Sequence, residues 1–295
     1  MAAIPLLPRL WPVRLTISCL VVATMALAST VLVSLSWVSS RQTLLDSAVL
    51  SARAAAEITA ERSRRMIDPG SAVLRSLSSD PLVSANTLQA RLARVGFLTR
   101  ELVANPLVSA IYVGYENGDF LLARPLDRLD IRQHFQVPPQ ASFLVQSVFH
   151  GANGRPEGSF HFYNAQHDEV QRQSMPYYHF DPRKRPWFTA ASNSAATAIS
   201  GPYLFFSTAQ AGISLSRRGH TGKAIVGLDI ALDDLGAGLA KLRMTPSAEL
   251  ALVDRQGSVL AYSNTQALLS SPRTTTVDRT STLDELGVEA LMQLR

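Results

Sequence analysis

The chain has 295 residues, of which 46% are hydrophobic, and its 28 Lys and Arg against 23 Asp and Glu give a net charge of +5. The basic side chains are scattered apart from short groups at 62–65 and 183–185, so this charge does not indicate a nucleic-acid-binding surface. The one cysteine, Cys19, lies in an apolar block, which excludes a disulfide framework, a cysteine zinc site and a cysteine nucleophile from the rest of the chain.

The first predicted element is a membrane-spanning helix over residues 15–40. No charged residue occurs in this stretch, which Arg14 and Arg41 bracket, and about 20 apolar residues are enough to cross a bilayer. The tripeptide at 26–28 also resembles a signal-peptide cleavage site, but the apolar run continues beyond it, which favours an uncleaved anchor. The arginines of the N-terminal flank favour a cytoplasmic tail at 1–14 and export of the remaining chain.

A helical stalk and a helical layer are predicted over residues 41–106. An alanine- and leucine-rich stripe recurs at helical spacing over 41–65, and the Asp-Pro-Gly sequence at 68–70 is expected to interrupt or kink the helix. Further helical patterns follow at 71–77 and 86–103. The stripe suits pairing with a second copy of the chain in a homodimer, or packing on its own domain.

Period-two alternation over residues 107–245 predicts an antiparallel sheet, with a strong hairpin turn at Asn117-Gly118. Long helices followed by hairpin-linked strands predict an α+β domain with helices packed on one face of the sheet. Short helices are expected at 187–191 and 233–242. The expected strands are 109–115, 120–123, 142–149, 158–163, 202–208, 212–217 and 223–231.

The last predicted segment, 246–295, contains two strands, at 248–254 and 258–262, and a helix at 281–294. Two strands and one helix rarely fold alone. This segment therefore reads as the start of a second, incomplete module.

The densest group of side chains able to bind a ligand lies at 177–188. Pro182 and Pro186 make this segment a stiff loop, and such loops are where binding groups are often placed. The guanidinium of Arg185 can hold a carboxylate by two parallel hydrogen bonds, and Trp187 can supply an apolar wall and one N–H donor. Trp187 and its neighbours could equally be core residues.

An acid on the opposite side of such a pocket is predicted at Asp229. Alternation along its strand places Asp229 on the same face as Gly227, which leaves room there. Asp229 can hold an ammonium group, to which Tyr203 can add an aromatic face or a hydroxyl. A cation and an anion across a small pocket suit a zwitterion. The alternative is that Arg185 and Asp229 pair with each other or with neighbours such as Asp181.

Catalytic motifs are not visible, since the sequence has neither a G-x-S-x-G elbow nor an H-E-x-x-H motif. A metal ion needs about three or four converging ligands, and His161, His167 and Asp168 do not supply such a set. The sequence therefore predicts no enzyme activity, cofactor or metal within these residues. An exported enzyme, or a scaffold without a ligand, remains the alternative function.

Three motifs resemble those of the double Cache sensor domains of bacterial transmembrane receptors: Phe180-Asp181-Pro182-Arg183-x-Arg185-Pro186-Trp187-Phe188, Gly201-Pro202-Tyr203 and Val226-Gly227-Leu228-Asp229-Ile230. The resemblance extends over about residues 41–294. It implies a periplasmic, PAS-like sensor anchored in the inner membrane. It also implies a ligand pocket in a membrane-distal module, 107–245, and the start of a membrane-proximal module in 246–295.

A subgroup of that family binds free amino acids, so the resemblance implies an amino acid or a related organic acid as the ligand. At positions 180 and 188 this chain has phenylalanine where that subgroup usually has tyrosine. Family members usually end in a cytoplasmic output domain, such as a chemoreceptor coil, a histidine kinase or a cyclic-nucleotide enzyme. Carried over by motif, the ligand-binding positions are Phe180, Arg185, Trp187, Phe188, Tyr203 and Asp229.

Overall fold

A computed structural model of the chain describes residues 13–151, 154–243, 245–253 and 259–264. The chain divides into two units, Met1–Thr59 and Ala60–Arg295. Within the described residues, one helical stretch, Leu15–Ile58, is long and apolar enough to cross a membrane, and an 18-residue window within it has a mean hydropathy of 2.2. The helix predicted at 281–294 lies outside the described residues.

The described part of the chain has an α+β fold, as predicted, with long helices first and then hairpin-linked strands. The helices are α1 (Val13–Ser78), α2 (Leu88–Leu92), α3 (Val95–Ala104), α4 (Leu129–His134), α5 (Pro186–Ser192) and α6 (Leu232–Lys241). The strands are β1 (Ala110–Tyr115), β2 (Phe120–Pro125), β3 (Phe143–His150), β4 (Pro156–Tyr163), β5 (Glu169–Ser174), β6 (Ala198–Leu204), β7 (Ala211–Arg218), β8 (Ala224–Ala231), β9 (Ala251–Val253) and β10 (Val259–Tyr262).

Eight strands form one antiparallel sheet in the order β5-β4-β3-β2-β1-β8-β7-β6, and β9 and β10 form a separate pair. The sheet consists of two meanders, β1–β5 and β6–β8, that join where β1 pairs with β8. The sequence predicted seven of the eight strands. It missed β5 because nearly all residues of this edge strand are exposed and polar, so no apolar alternation marks it.

The sheet buries both of its faces, which differs from the prediction that helices cover one face only. One face, the core face, packs against the end of α1, α3 and α6. The other, the site face, is covered by α4, α5 and the 3₁₀ turn Pro182–Lys184. Large fully buried side chains of the core face are Leu74, Leu77, Leu82, Leu98, Ile111, Leu121, Ile213 and Leu215.

The sequence predicts an interruption or a kink at 68–70; helix α1 is not interrupted there but continues through Pro69 to Ser78. A proline inside a helix costs about 3 kcal/mol, because it removes one hydrogen bond and crowds the preceding turn. The last turns bury Val73, Leu74 and Leu77 against the sheet, and each such side chain contributes about 1.5–3 kcal/mol. Burial of these side chains therefore outweighs the effect of the proline.

The helix predicted at 86–103 is in fact two helices, α2 and α3, that meet at Arg94. The Arg94 guanidinium donates to both carboxylate oxygens of Asp80, with the Nε–Oδ1 distance at 3.0 Å. In α2, Arg91 is only 2% exposed and its Nη1 lies 2.7 Å from Oδ2 of Asp119. These two long-range ion pairs hold the break in place, and a periodic apolar pattern does not reveal them.

Strand β6 runs over Ala198–Leu204 rather than over the predicted 202–208. Pro202 cannot donate to a strand ladder, so it reads in the sequence as a strand boundary. The pairing with β7 instead shifts register between Ser200 and Tyr203, and this irregularity accommodates the proline inside the strand.

Gly227 on β8 was expected to leave open space on its face of the sheet. The ring of Tyr112 fills that space instead. A Cβ on Gly227 would lie 2.2 Å from Cε2 of Tyr112, so Gly227→Ala is expected to lower the free energy of unfolding by about 1–3 kcal/mol. In the control Gly96→Ala, in α3, the nearest atom would be 3.6 Å away, and stability should stay equal or rise slightly. Urea denaturation followed by tryptophan fluorescence measures both; equal midpoints would contradict this close packing.

Candidate functional site

The candidate site is a small pocket between the site face of the sheet and the loops that cover it. It encloses about 20 Å³, which is about the space of one water molecule. Rings from the strands and from α5 form its base: Tyr112, Phe120, Tyr203 and Trp187. Rings from the covering loops form its outer wall: Tyr178, Phe180, Phe205 and Phe206.

The loop that carries Trp187 is held by its own local hydrogen bonds. Asp181 accepts from the backbone N–H of Arg183 at 3.0 Å and from Nε of Arg183 at 2.8 Å. Pro186 then occupies the first turn of α5, where no N–H donor is needed. A Cβ on Gly114 would lie 2.7 Å from the Trp187 ring, so the lack of a side chain there lets the indole lie directly on β1.

The acidic group of the site is Asp229, which is 6% exposed. Its Oδ1 accepts hydrogen bonds from Tyr112 Oη at 2.8 Å and from Ser214 Oγ at 2.5 Å, and Ser214 also bonds to the hydroxyl of Tyr203. Burial raises the pKa of Asp229 to about 6, although these hydroxyls oppose the rise. Among the described residues, no cationic side chain pairs with this carboxylate.

The basic group of the site is Arg185, which lies among aromatic rings. Its guanidinium carbon is 5.9 Å from the centroid of Phe180, 5.7 Å from that of Tyr203 and 6.0 Å from that of Phe206, distances at which a ring attracts a cation. Among the described residues its guanidinium makes one hydrogen bond, a long one of 3.4 Å, to the carbonyl of Leu204. No ion pair of Arg185 occurs in the described part of the chain.

Opposite charges therefore face one pocket without pairing, and the alternative that they bind each other is wrong in this structure. Asp181 is also not the partner of Arg185, because it pairs with Arg183 instead. Arg185 can donate hydrogen bonds to a third group between them, and the ionised Asp229 can accept hydrogen bonds from it. The arrangement is chemically suited to a small molecule that carries both an acid and an amine.

Five of the six residues carried over by motif line this pocket: Phe180, Arg185, Trp187, Tyr203 and Asp229. Phe188 does not line it. It lies behind Trp187, with the two ring centroids 5.6 Å apart in an edge-to-face arrangement. The substitution of phenylalanine for tyrosine at 188 therefore removes a hydroxyl from the packed cluster and not from the pocket wall.

Sequence reasoning missed the two hydroxyl donors of Asp229, Tyr112 and Ser214. Ser214 lies directly opposite Asp229 in the β7–β8 register, and Ser214 and Ser216 alternate with the apolar Ile213 and Leu215 along this strand. That pattern could have indicated it. Tyr112 comes from β1, which is 117 residues from Asp229 in sequence, and only the strand pairing brings the two together.

Comparison with known proteins gives partial matches. No family model matches the chain. It is 28% identical over 173 residues to adenylate cyclase 1 of Rhizobium meliloti, covering 58% of this chain and 26% of that protein. It is 27% identical over 92 residues to the methyl-accepting chemotaxis protein McpG of Pseudomonas putida, covering 31% of this chain and 15% of that protein. The chain thus spans about a quarter or less of these curated relatives.

Among solved structures, the chain resembles the ligand-binding domain of the Campylobacter jejuni chemoreceptor Tlp3, solved in complex with L-valine. The TM-score is 0.50 at 17% identity, covering 79% of this chain and 77% of that chain. At this identity the likeness concerns the fold. The chain therefore has the fold of bacterial chemoreceptor ligand-binding domains, and a helix able to cross a membrane precedes this fold in the sequence.

Proposed function

We propose that this domain senses a free α-amino acid at the pocket between the sheet and the 177–188 loop. The proposal rests on two opposite charges, Arg185 and Asp229, which line one small pocket walled by aromatic rings and do not form an ion pair with each other. The ligand carboxylate would bind to Arg185 by paired hydrogen bonds, and its ammonium group would bind to Asp229. An α-amino acid is a small molecule that supplies both groups a short distance apart.

The aromatic walls support the same proposal. Rings around a charged pair exclude water, which strengthens the interaction between the ligand and each charge. The Tlp3 domain that shares the fold was solved with L-valine, which agrees with an amino acid as the ligand class here. Phe180 cannot donate to a carboxylate, so Arg185 would carry most of the carboxylate recognition.

Ligand binding would require the pocket to open, because about 20 Å³ is too small for an amino acid. The ring most able to move is Phe206, which is 51% exposed although it lines the pocket. A ligand can stabilise a rearranged pocket only if it binds that arrangement more tightly than the present one. We propose that this rearrangement is the signal.

For the whole protein, we propose a membrane-anchored receptor whose sensory domain lies outside the cytoplasm and which acts as a homodimer. The sensory domain itself would have no catalytic role. The relatives support two kinds of output, since one is named an adenylate cyclase and the other a chemotaxis receptor. The match to the cyclase is longer, which favours cyclic-nucleotide synthesis as the output to assay first.

Loss of the basic group should weaken binding strongly, while loss of its exposed neighbour should not. Arg185→Ala is expected to weaken amino-acid binding at least about 30-fold, because removing one partner of a desolvated charge pair typically costs about 2–5 kcal/mol. The matched control is Arg183→Ala, whose side chain is 48% exposed and paired with Asp181; its affinity should stay within about twofold. Isothermal titration of the purified chain with a panel of amino acids measures both. An unchanged affinity in Arg185→Ala would refute the proposed pocket.

Asp229→Asn should have opposite effects on stability and on binding. Between its ordinary pKa of 3.8 and the folded pKa of about 6, the native carboxyl binds more protons than the unfolded one, so its contribution to stability is lost as pH rises through this window. Relative to Asp229→Asn, the wild-type chain should therefore lose up to about 3 kcal/mol of unfolding free energy between pH 4 and pH 6. Urea denaturation across this range measures the difference, which should be flat if Asp229 does not titrate.

The same carboxyl should make wild-type binding of an amine ligand depend on pH. Only the ionised form attracts an ammonium group, so affinity should fall by up to about tenfold per pH unit below the pKa of about 6. Titrations of wild type between pH 5 and pH 8 measure this, with Asp229→Asn as the variant in which affinity is low and independent of pH. An affinity that rises on acidification would exclude an ammonium group at Asp229.

A further inference from the structure

A second cation, Arg124, is buried on the site face of the sheet without an acidic partner. Arg124 is 4% exposed. Alternation along β2 places it on the same face as Phe120 and Leu122. Its Nη2 donates to Ser207 Oγ at 2.7 Å, but its Nε has no hydrogen-bond partner, and no ion pair of Arg124 occurs among the described residues. Burial lowers the pKa of Arg124 to about 10, as expected for a charge that lacks solvent and a counterion.

An unpartnered amide lies beside this cation. Gln146 is fully buried, and within the described part of the chain neither its Nε2 nor its Oε1 has a hydrogen-bond partner. The β2–β3 register pairs Leu122 with Gln146, so Gln146 is the diagonal neighbour of Arg124 on the same face, within reach of a long side chain. Buried polar groups in folded proteins are nearly always bonded, so an unbonded amide next to an unpaired guanidinium indicates a site for a polar group.

The space in front of Gln146 adjoins the candidate site and shares walls with it. Gln146 lines an open groove of about 400 Å³, and this groove and the aromatic pocket have Tyr178, Phe206 and Ser207 in common. The rings of Tyr178 and Phe206 meet edge to face, with centroids 5.9 Å apart, between the two spaces. Displacement of these two rings would join the pocket to the groove.

The charges of the joined site do not balance without a ligand. Burial raises the pKa of Asp229, and both Arg124 and Arg185 oppose that rise, which places both cations within electrostatic range of one carboxylate. Two buried or half-buried guanidinium groups against one carboxylate leave a net charge of +1. A neutral zwitterion would leave this charge uncompensated, whereas a ligand with a net charge of −1 would neutralise it.

We propose that Arg124 and Gln146 form a second subsite that binds the side-chain carboxylate of an acidic amino acid, an inference that rests on the proposed function of the first subsite. Arg185 and Asp229 bind the α-carboxylate and the ammonium group, and Arg124 and Gln146 donate to the second carboxylate. An amide side chain could bond to Gln146, but it would leave the charge of Arg124 unpaired. The domain is therefore selective for glutamate- or aspartate-like ligands over their amides and over aliphatic amino acids.

The test is a calorimetric titration of the full chain in detergent with L-glutamate, L-aspartate, L-glutamine, L-valine and glutarate. Wild type should bind one of the two acidic amino acids at least about tenfold more tightly than L-glutamine or L-valine. Arg124→Met, which keeps the volume but removes the charge, should reduce that preference at least about tenfold and leave L-glutamine binding unchanged or tighter. Gln146→Leu should weaken the acidic ligand selectively, and Arg183→Ala should change none of the affinities.

The outcomes separate the two proposals. If amino acids bind in an Arg185-dependent way but glutamate and glutamine bind equally, or Arg124→Met weakens both alike, the second subsite is refuted and the first stands. If glutarate binds as tightly as glutamate, and Arg124→Met but not Asp229→Asn weakens it, the amino-acid proposal fails and the second subsite stands. Should Arg124→Met not fold, the wild-type ratio of glutamate to glutamine and the Gln146→Leu titration decide. Absence of binding by every compound refutes both.

Discussion

The carboxylate of Asp229 is the constraint on which the site depends. Every residue of β8 is buried, and an acid in such a strand must be hydrogen-bonded, paired or neutral. The fold supplies two hydroxyls, from Tyr112 and Ser214, and no cation within bonding distance among the described residues. Hydroxyls can accept as well as donate, so they tolerate either protonation state of the acid. The ring of Tyr112 reaches Asp229 only because Gly227 has no side chain in its path.

Buried charges that stabilise the fold and charges that could bind a ligand occupy different parts of the sheet. At the β1–β2 turn the buried charges are compensated, since Asp119 accepts from Arg91, Asn117 and the backbone and ring of His150. Burial by itself would raise the pKa of Asp119, and these hydrogen bonds overcome it, so the pKa is lowered. On the site face, Arg124 and Arg185 form no ion pair with any described residue. Buried charges that are paired within the protein, such as Asp119, stabilise the fold. Buried charges without a partner, such as Arg124 and Arg185, are tolerable where a ligand supplies the opposite charge.

The small size of the pocket and the large groove beside it have one physical explanation. Tyr178, Phe180 and Phe206 pack on one another over the site, so these rings bury part of their own apolar surface. A ligand would have to displace that packing, and the free energy for this must come from its charged contacts. Such a site is selective for charge as well as for shape, because an apolar ligand would lose ring packing without gaining an ion pair.

The amino-acid sequence by itself determined the fold class, the helix able to cross a membrane, seven of the eight strands of the sheet and the loop at 177–188. These follow from local periods, from proline chemistry and from one family motif. It also placed Asp229 on the correct face of β8, because alternation is a local property.

Only the tertiary structure decided what surrounds that acid. Strand register and pairing between distant segments bring Tyr112 to Asp229 and place Gln146 diagonally across from Arg124. They also keep Arg185 apart from both nearby acids. Pro69 illustrates the same limit, since the local rule predicts an interruption or a kink there, whereas burial of the following turns against the sheet keeps the helix continuous. The neighbouring residues in the sequence determine a residue's backbone conformation and the face of the sheet on which it lies. The residues across the sheet determine its hydrogen-bond partners and its pKa.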